Sequence, residues 1–328
     1  MRYVLRRLGF FLLTLWAALT FNFLLPRLMP GNPALAMLGK FHGNLTPQSL
    51  NALEILFGVN THKSLPTQYV DYLHQIVTGN FGTSLDFYPA SVDSVIGGAI
   101  WWTLGLVGVT TVLAFVLGTG LGIVAAWRRG GRLDSLLPPV FVIASAVPYF
   151  WVGMVLVLVF GINLHWLPYV DGYYVATDSP GLNLTFFEDV FSHALLPALS
   201  LLITTIGTWI LTMRNTMITT LAEDYVRMAR AKGLPGWRVM LDYAARNAIL
   251  PNLTGFAMSL GFVVSGAILI EYVFNYPGVG FMLLQAVQGE DYPLMQALFL
   301  LITVAVLVAI LIADLATALL DPRTREAS

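Results

Sequence analysis

The residues of this chain with chemistry to offer are five histidines, two acids set in apolar runs, and one basic corner around a glycine. His42, His62, His74, His165 and His193 are scattered, and none forms H-E-x-x-H or another metal-ligand spacing. No serine stands in G-x-S-x-G, so a hydrolase nucleophile with a partner histidine is not indicated. The chain has no cysteine, which excludes a disulfide framework and a thiolate metal site. Nor is there a G-x-x-x-x-G-K-[ST] loop to cradle a nucleotide. The one glycine-rich run, "GTGLG" at Gly118–Gly122, lies in an apolar stretch with no strand before it. Gly118 and Gly122, four apart, read instead as a small-residue seam where two helices approach closely. These residues predict no catalytic site, no metal site and no cofactor on this chain.

The acids are Glu271 and Asp314. An ionisable group in an apolar run marks a functional pathway by default, but near the end of a span it can also snorkel or cap a neighbouring helix. Glu271 adjoins "YVFNYPGVG", which favours a structural or gate-positioning role over substrate coordination; for Asp314 both readings stand. Pro148 and Tyr149, inside "ASAVPYFWVG", either shape a translocation path or simply mark a helix kink. Trp101, Trp102, Trp151, Trp166, Tyr149 and Tyr169 fit an interfacial aromatic belt.

The elements that must carry these residues are membrane helices. Hydrophobic residues make up 57% of the 328 and charged ones only 11%, where soluble domains have about a quarter. Six stretches are long and apolar enough to cross a bilayer: Leu8–Leu28, Gly98–Trp127, Leu136–Phe160, Ala194–Met213, Leu253–Phe274 and Leu294–Leu320. The first could instead be a signal peptide, since "MRYVLRR" is a charged n-region. Its apolar run is long for that, and no small-x-small cleavage site follows.

Basic residues set the orientation. Arg2, Arg6 and Arg7, then Arg128, Arg129 and Arg132, then Arg214 to Arg246, then Arg323 and Arg325 all fall on one side of a six-span path. Segments 161–193 and 275–293 contain no Lys or Arg. Both termini are therefore expected in the cytoplasm of a prokaryotic cell, with the protein in its plasma membrane. The net charge of −1 suggests no nucleic-acid partner.

The resulting plan has the N-terminus and first span at 1–29 and an extracytoplasmic cap at 30–97. A five-helix core follows at 98–320, with a large cytoplasmic loop at 214–250, and then a tail at 321–328. In the cap, Thr46 and Pro47 would start a helix. Tyr69, Leu73, Ile76 and Val77 share the face of another that closes at Gly79. The cap reads either as a connecting loop or as a folded lid.

The large loop holds the basic corner, "YVRMARAKGLPGWRVMLDYAARNAILP" at Tyr225–Pro251. Leu221, Tyr225, Met228 and Ala229 would share an apolar face, with Glu223 and Arg227 paired at i,i+4. Gly233 stops this helix and Pro235 starts the next. There Trp237, Met240, Leu241, Ala244, Ala248 and Ile249 recur at helical spacing, with Arg238, Asp242 and Arg246 on another face. Such a pair of helices can lie among lipid headgroups. The sharp corner also suits a plug that docks into another protein, and spacing alone leaves both open.

The same segment resembles the cytoplasmic loop of permease subunits in binding-protein-dependent ABC importers, in the dipeptide/oligopeptide/nickel branch. The A-x-A-K-G corner and R-N-A-x-x-P exit correspond to Ala229, Ala231, Lys232, Gly233, Arg246, Asn247, Ala248 and Pro251. "GNFGTS" at Gly79–Ser84, "EYVFNYPGVG" at Glu271–Gly280, "DYPLMQ" at Asp291–Gln296 and "ALLDPR" at Ala318–Arg323 are also similar to that family. The resemblance runs almost end to end, weakest at 30–65 and 161–193.

The resemblance implies an all-α, six-helix type I importer transmembrane domain. Its partners would be a second homologous permease, two ATPase subunits that carry ATP and Mg, and an extracytoplasmic binding protein. It also implies a coupling helix around Gly233. There Gly233 would make the corner, Lys232 and Arg230 would give charged contacts, Leu234 and Trp237 would pack, and Pro251 would set the entry to span five. Di- or oligopeptides are the first substrate class implied, oligosaccharides the second, nickel the third. The rival is a self-sufficient ion-coupled carrier or channel, which needs buried ionisable residues or broken helices near the midplane. Apart from Pro148 and the two acids, no span shows such a feature in its sequence.

Overall fold

The computed structural model describes residues 2–28, 63–174, 180–181 and 183–320, with side chains at 6–25, 27–28, 63–174, 180–181 and 183–312. The expected Thr46–Pro47 helix start, His42, His62, the side chain of Asp314 and the tail with Arg323 and Arg325 lie outside these residues. The described chain is helical, and it divides into two compact units.

The first unit comprises 1–103, 264–268 and 277–328. It contains α1 (Arg2–Leu28), α2 (Leu65–Thr78), α3 (Val92–Thr103), α12 (Val279–Gln288) and α13 (Tyr292–Leu320). Apolar side chains of α3, α12 and α13 make its core, among them Val92, Val279, Leu294, Met295 and Leu298. Two polar ties hold the rest. Asn22 on α1 donates to Tyr72 Oη on α2 at 3.0 Å and to the Gln296 carbonyl on α13 at 2.8 Å. Asp291, fully buried just ahead of α13, accepts from the Ser84 hydroxyl and from the backbone N–H groups of Leu85, Asp86 and Leu294. Burial pushes its carboxyl above the ordinary aspartate range, while those donors pull against it.

The helix expected to close at Gly79 does so, its cap N–H groups returning to Gln75 and Ile76. Of its expected face Tyr69, Leu73 and Ile76 are half-buried, but the face is centred elsewhere. Tyr72 is the buried residue, packed with Tyr69 against Phe23, whereas Val77 is 85% exposed. The face is chosen by the position of α1, which the helix's own periodicity does not encode.

The second unit comprises 104–263 and 269–276. A π-helical turn at Leu104–Gly108 leads into α4 (Val109–Trp127). Then come α5 (Arg132–Ala146), α6 (Tyr149–Leu156), which continues as π-helix to Asn163, and the 38-residue α7 (Leu184–Leu221). Asn183 caps α7 by accepting the Phe186 N–H at 2.7 Å. Helix α8 (Asp224–Ala231) precedes α9, a helical run over 236–248 whose middle, Val239–Ala245, is π. Next are α10 (Leu250–Val263) and α11 (Ile268–Val273).

Two of the expected spans are not continuous helices. The third is bent by 92° between Ala146 and Tyr149, because Pro148 lacks an N–H and pushes Val147 into an extended conformation. The fifth is broken at 264–267, where Gly266 takes a φ of 70°, accessible chiefly to glycine. Among the described residues, four helices are individually long and apolar enough to cross a membrane, and the bent pair, counted as one, makes five. The remaining stretch is divided into two short helices.

Candidate functional site

The glycine corner is the most distinctive surface feature of the second unit. Helix α8 ends as Gly233, with φ 75°, donates its N–H back to the Arg230 carbonyl at 2.9 Å. Pro235 then caps α9. No atom lies within 4 Å of where a Gly233 Cβ would stand, so the glycine is there for its backbone conformation and not for space.

Beneath the corner is an apolar base. Val226 and Ala229 of α8, with Val239, Ala244, Ala245 and Ala248 of α9, pack on Ala126 of α4 and on Met213 and Met217 of α7. The expected apolar faces hold at Ala229, Ala244 and Ala248 and are corrected elsewhere. Tyr225 and Met228 are 40% and 59% exposed, and Trp237 is 57% exposed. The buried positions in α9 run from Val239 to Ala244, a step of five, because the π-helical middle retards the phase relative to an α-helix. Asn247 bridges the two arms, donating to Tyr225 Oη at 3.0 Å. The expected Glu223–Arg227 pair is replaced by Asp224 with Arg227 at 3.6 Å, both largely in solvent and so worth little.

Around this base Ala231, Lys232, Gly233, Trp237 and Arg246 are all exposed, and Leu234 is half-buried. Arg230 is exposed as well, but its guanidinium lies over the Trp127 ring at 5.4 Å. Pro251, exposed, sits in the first turn of α10. The segment is a rigid, basic, partly apolar knob mounted on α4 and α7.

The mount is unusually tight. A Cβ on Gly118 would stand 2.6 Å from Trp209 Cβ, and one on Gly122 would stand 2.7 Å from the Ile210 carbonyl. The seam read from "GTGLG" is thus a contact of α4 with α7. Between the two glycines, Thr119 Oγ1 accepts a hydrogen bond from Asn252 Nδ2 at 3.0 Å, and the same amide donates to the Trp209 carbonyl at 3.2 Å. Asn252 is 1% exposed and follows directly on Pro251. It pins α10 to both α4 and α7, and nothing in its sequence neighbourhood announced it. The Asp134 carboxylate plays a similar part on α5, accepting from Arg214 of α7.

The gate candidates also come together. Pro148 forms the N-cap of α6, and the Tyr149 hydroxyl hydrogen-bonds the Leu269 backbone beside Glu271. Glu271 is fully buried. Helix α6 approaches this segment so closely that a Cβ on Gly153 would meet Ile270 Cδ1 at 2.6 Å. The Glu271 side chain is thus enclosed within this unit. Elsewhere in this unit, His193 Nδ1 pairs with Asp189 at 3.1 Å, and Asn275 donates to Asp171.

This assembly of apolar helices carrying a basic glycine corner defines an integral membrane transport component. Residues 118–326 match the family described as "Binding-protein-dependent transport system inner membrane component", and residues 1–91 match its N-terminal counterpart. The chain belongs to this family and has its type I ABC transmembrane domain. It is 34% identical over 323 residues to "Probable peptide ABC transporter permease protein y4tP" of Sinorhizobium fredii, covering 98% of this chain and 99% of that one. It is 32% identical over 324 residues to "Dipeptide transport system permease protein DppB" of Lactococcus lactis, covering 99% of both. It is 30% identical over 321 residues to "Oligopeptide transport system permease protein AppB" of Bacillus subtilis, covering 98% of both.

Proposed function

We propose that the chain is the permease subunit of an ATP-driven importer that brings di- or oligopeptides into a prokaryotic cell by alternating access. The observation that carries the coupling role is the corner itself. Exposed Met228, Lys232, Gly233 and Trp237 project from a base that is fully packed. Large apolar side chains beside a cation, on a closely packed mount, suit a socket on a partner and not free solvent. Closure of two ATPase subunits would drag this knob, and the seams at Gly118, Gly122 and Asn252 would pass the movement to α4, α7 and α10 as a rigid body. Within it, Gly233 sets the corner, Lys232 with Arg230 behind it supplies charge, Leu234 and Trp237 pack, and Ala229 and Ala231 leave room for close approach. Arg246 lines the far arm, and Pro251 sets the entry to α10.

Peptides are the substrate class because the relatives' names point to peptides; oligosaccharides and nickel are the alternatives for the same architecture. ATP and Mg would sit on the partner ATPases, with no cofactor on this chain. The other partners would be a second, homologous permease and an extracytoplasmic binding protein. Both termini would lie in the cytoplasm. Glu271, Pro148 and Tyr149 would hold the shape of the gate.

One observation favours the ion-coupled carrier: the broken helices at 147–148 and 264–267, a feature such carriers need. Purification of the tagged chain in mild detergent, with mass spectrometry of what accompanies it, separates the two. A second permease and ATPase subunits should co-purify, and transport in vesicles should stop when ATP is depleted. A chain that purifies alone and transports on an ion gradient would overturn the proposal.

A further inference from the structure

Where α4 ends, the second unit has a recess of about 440 Å³ lined by Trp127, Arg230, Leu234, Gly236 and Val239. That volume is in the roughly 300–1,000 Å³ range of small-molecule sites. Its floor is apolar, from the buried Val239 and half-buried Leu234, and its cation is Arg230, whose guanidinium covers the Trp127 ring. Arg230 makes no ion pair among the described residues, so the charge in the recess is unneutralised. Gly236 lies at its rim, where a Cβ would stand 3.4 Å from the Trp127 ring, in ordinary contact.

The depth of the recess in the membrane follows from the sequence around it. Trp127 is the last residue of an apolar helix whose lipid-side positions Val112, Val116 and Val124 are exposed, and Arg128 and Arg129 follow at once. A tryptophan between hydrocarbon-facing valines and an arginine pair marks the level of the headgroups. A recess at that level, with an apolar floor and one uncompensated guanidinium, has the chemistry to favour a headgroup of net negative charge over one of net zero charge.

We propose that the Trp127–Arg230 recess binds the headgroup of an anionic phospholipid. The Arg230 guanidinium takes a phosphate oxygen through its N–H fork, and Trp127 holds the guanidinium in place from the other face. The lipid's acyl chains run along the exposed valines of α4. Bound there, the lipid braces α8 against α4 from the inner side of Arg230 and Leu234, which leaves Lys232 and Trp237 for a subunit that covers the corner from outside.

The test is native mass spectrometry of the full-length chain, purified with whatever subunits accompany it, and titrated with palmitoyl-oleoyl phosphatidylglycerol or phosphatidylcholine. The expected result is a retained phosphatidylglycerol adduct and no comparable phosphatidylcholine adduct. R230Q should weaken phosphatidylglycerol retention about fivefold, the effect of roughly 1 kcal/mol per basic residue at a membrane surface. R230K should keep most of it. The matched control is R238Q: Arg238 also lies over a tryptophan, Trp237 at 5.2 Å, but does not line the recess, so retention should be unchanged.

Equal losses in R230Q and R238Q would reduce the effect to general surface charge and overturn the site. So would equal retention of the two lipids by the unaltered chain, which needs no variant to fold. If R230Q left lipid retention intact but released co-purifying ATPase subunits, the recess would be a protein socket and the proposal would fall.

Discussion

The seam between α4 and α7 makes the sharpest prediction, because "GTGLG" supplies its own control. Gly118 and Gly122 face α7, with their virtual Cβ atoms 2.6 Å from Trp209 Cβ and 2.7 Å from the Ile210 carbonyl, while nothing lies within 4 Å of a Cβ on Gly120. Ordinary contact is ~3.5 Å, so an alanine at Gly118 or Gly122 must drive the helices apart by roughly 0.8 Å or bend one of them. The obstructing atoms are backbone and Cβ atoms, which cannot swing aside. Overpacking of this kind costs about 1–3 kcal/mol. Gly120→Ala adds a methyl to open space and exchanges a poor helix former for the best one, up to about 1 kcal/mol in its favour in a water-exposed helix. Thermal unfolding in detergent, followed by size-exclusion fluorescence, should show G118A and G122A melting several degrees lower and G120A at or above the unaltered chain. The chain's transport should fall with the first two only. If all three variants melted together, the close approach of α4 and α7 would be wrong.

Three further outcomes follow from other parts of the molecule. Gly233→Asp should insert normally and lose transport, since its φ of 75° costs an L-residue roughly 1–2 kcal/mol while its Cβ meets no neighbour; full transport by G233D, measured with the partner ATPases present, would remove the coupling role. Asn252→Leu deprives the Thr119 hydroxyl and the Trp209 carbonyl of their donor, a loss of about 1 kcal/mol at membrane depth, and should raise the ATP hydrolysed per solute moved. Unchanged stoichiometry would make Asn252 packing alone. Asp291→Ala leaves the Ser84 hydroxyl and three backbone N–H groups without their acceptor and should cost about 2–3 kcal/mol, read as faster proteolysis within 80–91. Protection equal to that of the unaltered chain would refute the tie.

Much of the molecule was legible in its residues because lipid gives the backbone no alternative donors or acceptors. A stretch of about 20 apolar residues in a membrane has to be helical, so the helices now seen at Arg2–Leu28, Val109–Trp127, Leu184–Leu221 and Tyr292–Leu320 could be placed by hydropathy. The corner was legible for a local reason too: Gly233 is free to take a positive φ and Pro235 fixes its own, and no distant contact is needed to stop one helix and start the next. The family resemblance, carried by the same corner and its exit, came with it.

What the residues did not reveal was which faces and which breaks the neighbours would choose. Tyr225 and Met228 looked like part of the buried side of α8 with Ala229, yet Met213, Met217 and Ala126 receive Val226 beside Ala229 and leave those two exposed. In α9 the π-helical middle shifts the phase, and a period of 3.6 cannot anticipate that shift. The break at 264–267 has one glycine and no proline, and a single glycine in an apolar helix commonly stays helical. Asn252 is the plainest case. Its amide is spent on a threonine 133 residues earlier in the chain and a carbonyl 43 residues earlier. Such pairings exist only once three helices have met. The sequence by itself determined the solvent, the helices and the corner, because these depend on each residue's own backbone and transfer energy. The tertiary structure alone decided the faces, the break at 264–267 and the buried polar ties, because those depend on what stands opposite.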